Sequence, residues 1–363
     1  MEQSKQFAAA GRRLDRRRAL RMAGAAAAGG AAWLIGGTGI LRAHAQDESR
    51  FFRIGTGPTT GNYFTIGGII ANAISNPPGS TPCDKGGSCG VPGLIASAQT
   101  TQGSVQNVEL VADTTLESGL CQSDVAFWAY SGSGMYSGGK PFDGLRAIAN
   151  LYQESLHIVV RADSAINAIA DLRGKRISLG GRGSGTRATA VLVLGAYGVG
   201  ERKFTGQQLT IEKACAQLRD STIDAIFFVG GAPVPALVDL AQTTPLRLLP
   251  VVGDEASTLR GTYPFLTVDV IPENSYGGNA GTVTVGIGTY WLVLAELDDK
   301  LVHDITAALW HPATRKLLDQ GSPIGRRIRL EQALVGLPIP VHAGAERFYG
   351  APRDQSSQPG GAQ

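Results

Sequence analysis

Residues 51–74 read FFRIGTGPTTGNYFTIGGIIANAI, and this stretch decides the fold class. Its apolar start is typical of a short buried strand, and the glycines that follow indicate a turn. Beyond Asn62 the apolar residues recur at helical spacing: Ile66, Ile69, Ile70, Ala73 and Ile74. Residues 51–74 therefore predict a strand, a loop and a helix in that order, which is the start of an alternating βα pattern.

The same order of elements returns in the second half of the chain. Residues 177–179 predict a strand, Gly-Ser-Gly-Thr at residues 183–186 a turn, and the run that ends near Tyr197 a helix. Strands that alternate with helices form mainly parallel sheets, so we expect an α/β protein of two lobes.

Several later segments extend this pattern. Residues 157–160 predict a buried strand, and a helix is expected to follow it through Ile169. Residues 223–229 and 282–287 predict two more strands. A closing helix is expected over residues 301–310, ended by Pro312.

Length and composition narrow the class of protein. A chain of 363 residues with 43% hydrophobic and 17% charged residues is typical neither of a disordered protein nor of a multi-span membrane protein. The first 45 residues hold 8 of the 33 Lys and Arg residues but only 2 of the 30 Asp and Glu residues. The remaining chain carries a net charge of −3, without the basic surface that nucleic-acid binding requires.

The N-terminal 45 residues have the features of a twin-arginine (Tat) export signal. Three arginines at residues 16–18 precede an uncharged run over residues 22–41, and Ala-His-Ala at residues 43–45 suits a signal peptidase. Cleavage would fall before Gln46. An uncleaved anchor is the alternative, since 20 residues could span a bilayer. Either way we expect the body outside the cytoplasm, in the periplasm.

The four cysteines fit an oxidising compartment. Cys83 and Cys89 lie in a turn-rich segment, PPGSTPCDKGGSCG at residues 77–90, where a short disulfide is geometrically easy. A metal site is the alternative, but no His or third Cys lies nearby, and Cys-x5-Cys is not a zinc spacing. Cys121 and Cys215 have apolar neighbours, which predicts buried thiols.

Three loops are candidates for ligand binding: residues 55–63, 122–124 and 183–186. Each is expected at the carboxyl end of a strand, beside a helix N-terminus whose N–H groups attract anions. One such terminus contributes about 0.3–1 kcal/mol to a bound anion, whereas a micromolar dissociation constant requires about 8 kcal/mol. Several amides must therefore converge, and we expect two hinged lobes that close on the ligand.

Catalytic motifs are missing from the sequence. The glycines at residues 55, 57 and 61 are spaced one residue too widely for the dinucleotide fingerprint, and no P-loop is present. The histidines at residues 157, 303, 311 and 342 have no metal-like spacing. We expect no catalytic residues, no metal and no cofactor.

The motifs in their order resemble the TAXI family of solute-binding proteins, which serve TRAP transporters. The matching stretches are residues 54–57, 61–63, 103–107, 122–126, 151–157, 171–176, 183–186 and 224–228. The resemblance covers nearly all of residues 51–349. It implies a type II periplasmic binding protein fold with two lobes joined by crossing strands. It also implies a small carboxylate ligand, such as glutamate, glutamine or 2-oxoglutarate, delivered to a permease driven by an ion gradient.

The resemblance also implies ligand-binding residues, carried over by position. They are Thr56, Gly57, Thr60, Gly61, Asn62, Tyr63, Gln122, Ser123, Tyr152, Ser184, Gly185 and Thr186. Pro58 and Thr59 stand where many relatives have glycines, which leaves backbone contacts there open.

These expectations define a domain organisation. Residues 46–155 and 281–349 form lobe 1 with the C-terminal helices, residues 156–280 form lobe 2, and residues 350–363 are a flexible tail. We expect a monomeric receptor. An exported α/β enzyme and a free-standing ligand sensor of the same fold are the alternatives.

Overall fold

The computed structural model describes residues 49–350. The predicted signal sequence, residues 1–45, and the predicted tail beyond residue 350 lie outside the described residues. The strands are β1 (Arg50–Gly55), β2 (Ser75–Asn76), β3 (Val91–Pro92), β4 (Leu94–Gln99), β5 (Ser118–Gln122), β6 (Leu145–Arg161), β7 (Arg176–Ser178), β8 (Thr205–Gln207), β9 (Ala225–Gly230), β10 (Leu246–Leu248), β11 (Leu266–Ile271) and β12 (Thr282–Leu294). The helices are α1 (Asn62–Ile74), α2 (Ser104–Ala112), α3 (Ser123–Ser131), α4 (Thr186–Ala196), α5 (Ile211–Arg219), α6 (Pro235–Ala241), α7 (Asp254–Thr262), α8 (Asp299–Leu309), α9 (Pro312–Gly321) and α10 (Ala343–Gly350).

Ten of the strands form one sheet; eight follow the order β4-β1-β5-β12-β6-β9-β7-β8, while β10 pairs with β6 and β11 with β12. The three strands at each end, β4-β1-β5 and β9-β7-β8, are parallel and belong to different lobes. The long strands β6 and β12 lie between them and pair antiparallel. The first half of β6 pairs with β12 and its second half with β9, so β6 crosses from one lobe to the other. The predicted α/β class with two lobes and crossing strands is confirmed.

The decisive stretch folds as its pattern predicts. β1 ends at Gly55, and α1 begins at Asn62. Ile66, Ile70 and Ile74 are fully buried on one face of α1, within the core of lobe 1. Burial of each isoleucine contributes about 1.5–3 kcal/mol, so this face holds the helix against the sheet.

Two of the predicted helices need correction. Residues 169–172 form only a single 3-10 turn; the Asp171 carboxylate caps its start by accepting from the N–H groups of Asn167 and Ala168 at 2.9 and 3.0 Å, and Gly174, with a φ of 74°, follows its end. The predicted helix at residues 301–310 is α8, and Pro312 begins a further helix, α9. Proline is favoured there because the first N–H group of a helix has no acceptor within the helix. α8 is therefore not the closing helix, and α10 follows it as well.

Strands β6 and β12 are far longer than their predicted segments. β6 has 17 residues and β12 has 13. The sequence patterns at residues 157–160 and 282–287 cover only the part of each strand in lobe 2.

A buried asparagine ties the carboxyl ends of β1 and β5 together. The Asn107 Nδ2 atom donates to the carbonyl oxygens of Thr56 and Leu120, both at 2.7 Å, and its Oδ1 atom accepts from the Thr101 hydroxyl at 2.7 Å. A Cβ at residue 55 would lie 2.6 Å from that Oδ1 atom, so glycine at the end of β1 leaves room for the tie. The hydrogen bonds of Asn107 thus hold the end of β1, from which the loop to α1 starts, next to β5, which leads directly into α3.

No helix among residues 49–350 combines the length and the apolar character that a membrane crossing requires.

We expect Asn107→Ala to lower the free energy of unfolding by about 1–3 kcal/mol, because the buried Leu120 carbonyl oxygen loses its side-chain donor, whereas the Thr56 carbonyl oxygen keeps the Thr101 hydroxyl at 3.1 Å. The matched control is Asn72→Ala, an exposed asparagine on α1, which should change the stability by less than about 0.5 kcal/mol. Urea unfolding measures both. Equal midpoints for the two variants would contradict the role assigned to Asn107.

Candidate functional site

A cavity of about 70 Å³ lies between the two lobes, with room for about five water molecules. Lobe 1 contributes the start of α1, the start of α2 and Gln122 at the end of β5. Lobe 2 contributes the start of α4 and the end of β9. Glu154, on the crossing strand β6, completes the wall. The cavity therefore has walls from both lobes and from a strand that connects them.

Three helices begin at this cavity, and each has a glycine as its N-cap residue. Gly61, Gly103 and Gly185 offer no side chain to the first N–H groups of α1, α2 and α4. The first N–H groups of a helix lack partners within the helix and carry its positive dipole end. Backbone donors from both lobes are thus directed towards the same space.

The N-terminus of α2 also binds the other lobe directly. The backbone N–H groups of Val105 and Gln106 donate to the Gly183 carbonyl oxygen at 3.0 and 3.3 Å. A second contact runs from the Asn62 side chain, whose Nδ2 atom donates to the Gly231 carbonyl oxygen at 2.8 Å. Both lobes are therefore in contact around the cavity and close over it.

The structure brings eight of the twelve predicted ligand-binding residues into the wall of this cavity. They are Gly57, Gly61, Asn62, Tyr63, Gln122, Ser184, Gly185 and Thr186. The three hydroxyl groups among them already have partners: Ser184 donates to the Gly181 carbonyl oxygen at 2.7 Å, Thr186 accepts from the Val229 N–H at 3.2 Å, and Tyr63 donates to Glu154 at 2.8 Å.

The other four predicted residues lie outside the wall. The Thr56 hydroxyl donates to the Gln99 carbonyl oxygen at 2.6 Å, between adjacent strands. Thr60 bonds Glu212 at the outer edge of the cleft, in a separate cavity of about 260 Å³. The Ser123 hydroxyl accepts from the Gly288 N–H at 3.2 Å. Tyr152 is buried behind the wall, and its hydroxyl has no hydrogen-bond partner.

Sequence reasoning missed Glu154, which lies in the cavity wall and is 2% exposed. The Tyr63 hydroxyl donates to its Oε2 atom at 2.8 Å. Burial raises the pKa of Glu154 to about 8, although the bond from Tyr63 lowers it. The available signal was a glutamate in the middle of strand β6, where a buried carboxylate is rare without a partner or a function.

A second buried carboxylate connects the lobes beside the cavity. Asp124, at the start of α3, accepts from the Val125 N–H at 2.7 Å and from the Thr189 hydroxyl of α4 at 2.6 Å. Gln122 Nε2 donates to the same carboxylate at 3.3 Å. Burial raises the pKa of Asp124 to about 6, and the hydrogen bonds from Thr189 and Val125 oppose that rise.

The wall also contains residues that no sequence argument assigned. They are Pro58, Gln102, Gly103, Ser104, Phe228, Val229, Gly230 and Val234. Phe228 and Val229 belong to β9, and their side chains give the lobe 2 side an apolar surface. These residues carry no distinctive polar pattern, so only the closure of the two lobes identifies them.

The structure contains the predicted disulfide between Cys83 and Cys89. The expectation that no histidine lies near it is wrong, since His311 has a ring nitrogen within 4.8 Å of both sulfur atoms. His311 precedes α9, which is distant in sequence but adjacent in the fold, so the spacing of residues could not show it. Cys121 and Cys215 are buried free thiols, as predicted, and burial raises the pKa of both.

Comparison with known proteins gives one family match and several similar folds. The model of the NMT1-like family matches residues 54–350. The periplasmic aliphatic sulphonate binding protein SsuA from Escherichia coli is similar at 14% identity and a TM-score of 0.43, over 83% of this chain and 79% of that chain. The alkanesulfonate-binding protein SsuA from Xanthomonas axonopodis pv. citri, bound to MOPS, is similar at 17% identity and a TM-score of 0.41, over 83% of each chain. A TctC solute binding protein from Polaromonas is similar at 18% identity and a TM-score of 0.44, over 75% of this chain and 88% of that chain.

We expect Gly185→Ala to disrupt the closed cavity, because the new Cβ would lie 2.4 Å from Gln122 Oε1 and 2.9 Å from Val125 Cγ2. Ligand affinity should fall at least about tenfold, which is the loss of about 1.4 kcal/mol. Gly195→Ala is the matched control on the same helix, since nothing lies within 4 Å of its added Cβ.

The control should keep its ligand affinity and gain about 0.5–1 kcal/mol of stability from the higher helix propensity of alanine. Calorimetric titration and urea unfolding measure the two effects. Unchanged affinity in Gly185→Ala would show that the contact between α4 and Gln122 is irrelevant to binding.

Proposed function

Because the chain belongs to the NMT1-like family, we propose that it is an exported receptor that captures a small carboxylate between its two lobes and releases it chemically unchanged. The observation that carries the proposal is the inter-lobe cavity, on which three glycine-capped helix N-termini converge. The proposed site of action is the periplasm, and the proposed recipient is a TRAP-type permease driven by an ion gradient.

The donors at this cavity favour an anion of modest size. Within residues 49–350, the wall contains no Lys, Arg or His, so attraction must come from backbone N–H groups and neutral side chains. Each helix terminus supplies about 0.3–1 kcal/mol, and each hydrogen bond to a charged group about 1.5–3 kcal/mol. The N–H groups of Val105 and Gln106 at the start of α2 already bond Gly183, so the termini of α1 and α4 remain, and with a few such bonds they reach the roughly 8 kcal/mol of a micromolar complex.

The arrangement supports binding rather than catalysis. A hydrolytic nucleophile needs a base within hydrogen-bond reach, usually a histidine. The Ser104 hydroxyl instead accepts from the Gln122 N–H at 3.1 Å, and the Ser184 hydroxyl donates to a carbonyl oxygen. Described histidines lie elsewhere: His157, for example, is buried against Tyr276, with 2.7 Å between its Nε2 atom and the Tyr276 hydroxyl. The exported enzyme therefore remains the weaker alternative.

Delivery to a permease rests on the sequence motifs that resemble TAXI receptors. A free-standing sensor would need the same cavity, so the cavity does not distinguish a transport receptor from a sensor. A permease gene beside the gene for this chain would favour transport, and uptake assays with and without that permease would test it.

We expect small carboxylates to raise the melting temperature of the purified protein. At a free concentration 100-fold above the dissociation constant, the stabilisation should be about 2.7 kcal/mol. A thermal-shift panel of keto acids, amino acids and dicarboxylates, followed by mass spectrometry of any co-purified molecule, makes the measurement. Uncharged amides of the same size form the control series.

Two results would contradict the proposed receptor. One is a panel without any stabilising carboxylate. The other is turnover of the bound molecule, which would favour the exported enzyme. Small-angle scattering adds an independent check, because a hinged receptor should become more compact when the stabilising carboxylate is added.

A further inference from the structure

Glu154 is the one charged side chain in the cavity wall among residues 49–350. It lies on the crossing strand β6 and is 2% exposed. One of its oxygen atoms, Oε2, accepts the hydrogen bond from Tyr63. An acidic side chain thus faces the space in which we propose that an anion binds.

This placement restricts the charge state of the occupied site. An ionised Glu154 would repel a carboxylate inside a water-poor cavity, where like charges interact strongly. The described wall contains no Lys or Arg, so no cation lines the cavity to offset that repulsion, and Arg327, outside the wall, lowers the pKa of Glu154 less than burial raises it. A protonated Glu154 removes the repulsion and offers a donor, because a carboxylic acid can give a strong hydrogen bond to a carboxylate.

We propose that the cavity takes up its ligand together with one proton, with the protonated Glu154 carboxyl donating a hydrogen bond to a carboxylate of the ligand. The Tyr63 hydroxyl then holds Oε2, the carbonyl oxygen of the acid, and Oε1 carries the shared proton. No covalent bond forms or breaks apart from the uptake of this proton. The inference rests on the proposed function, and it makes Glu154 a selector for anions over cations.

The groups around Glu154 leave it as the one that titrates near neutral pH. Facing it are Tyr63 on α1, Asp124 on α3, Cys121 on β5, Tyr152 on β6 and Arg327 in a 3-10 turn after α9. Burial raises the pKa of Tyr63, Tyr152 and Cys121 well above their usual values, and that of Asp124 to about 6. Between pH 7 and 9.5, only Glu154, with a pKa of about 8, changes its charge within this group.

Three probes of the same shape separate the charge states of the site. Acetate, acetamide and acetamidinium are an anion, a neutral molecule and a cation of four non-hydrogen atoms each, small enough for a cavity of about 70 Å³. Each is titrated into the purified protein at pH 7 and at pH 9.5, and amide chemical shifts give the affinity. Wild type, Glu154→Gln and the exposed control Glu109→Gln on α2 are compared.

We expect acetate to bind wild type about 30-fold more weakly at pH 9.5 than at pH 7, because a group with a pKa of about 8 loses its proton over this range. Glu154→Gln, which keeps a donor at every pH, should bind acetate with less than about threefold change. Glu109→Gln should behave like wild type. Tyr63→Phe should shift the midpoint upwards, since the Tyr63 hydroxyl lowers the pKa of Glu154.

Three outcomes count against the inference. Acetate affinity that is independent of pH in wild type overturns it but leaves the proposed receptor intact. Tighter binding of acetamidinium than of acetate overturns it in favour of an ionised Glu154 that holds a cation. Failure of both acetate and the carboxylate panel at every pH counts against the proposed function itself. If Glu154→Gln does not fold, the inference is still tested in wild type by the pH dependence of acetate binding and by the relative affinities of the three probes.

Discussion

The antiparallel pairing of β6 with β12 is the constraint on which the rest of the structure depends. Residues 145–155 of one strand pair with residues 286–294 of the other, and each strand also pairs with strands on both sides of the sheet. Any movement of the lobes must therefore bend this pair. Its register shifts between Thr289 and Tyr290 and between Trp291 and Leu292, and such irregularities let a strand bend without breaking the ladder. Glu154 lies on the same pair, so one element is both the connection between the lobes and part of the cavity wall.

Around the cavity, the contacts between the lobes differ in kind from those within them, although Trp128 of α3 also packs on Phe265 in the apolar core of lobe 2. Each lobe has its own apolar core, built on α1 and α8 in lobe 1 and on α4 and β9 in lobe 2. Around the cavity the lobes meet through hydrogen bonds, such as Asn62 to Gly231 and Thr189 to Asp124. Water can replace such bonds, so each contributes only about 1 kcal/mol net. The hydrogen bonds around the cavity thus contribute less free energy than the apolar core of either lobe.

Two kinds of group determine the electrostatics of the cavity: helix N-termini, which carry no net charge, and Glu154, whose charge depends on its protonation. Helix N-termini attract an anion without a counter-charge of their own, and their effect is largest where water is excluded. Glu154 adds a group whose sign depends on its proton, and burial moves its pKa to about 8. Asp124 is also buried, but it accepts three hydrogen bonds, which hold its pKa at about 6. Two carboxylates in one site therefore differ in charge at neutral pH because of their donors.

The sequence by itself determined the α/β class, the strand-loop-helix units at residues 50–74 and 176–196, the disulfide between Cys83 and Cys89, and the glycine-rich loops that line the cavity. These features are local: periodicity, short loops and close spacing act between neighbours in the chain. The tertiary structure alone decided that Thr56, Thr60, Ser123 and Tyr152 face away from the cavity, that Glu154 faces into it, and that His311 approaches the disulfide. It also extended β6 and β12 through both lobes. The physical reason is that these outcomes depend on which strands become neighbours in the sheet, and pairing between residues more than a hundred positions apart leaves no period in the sequence.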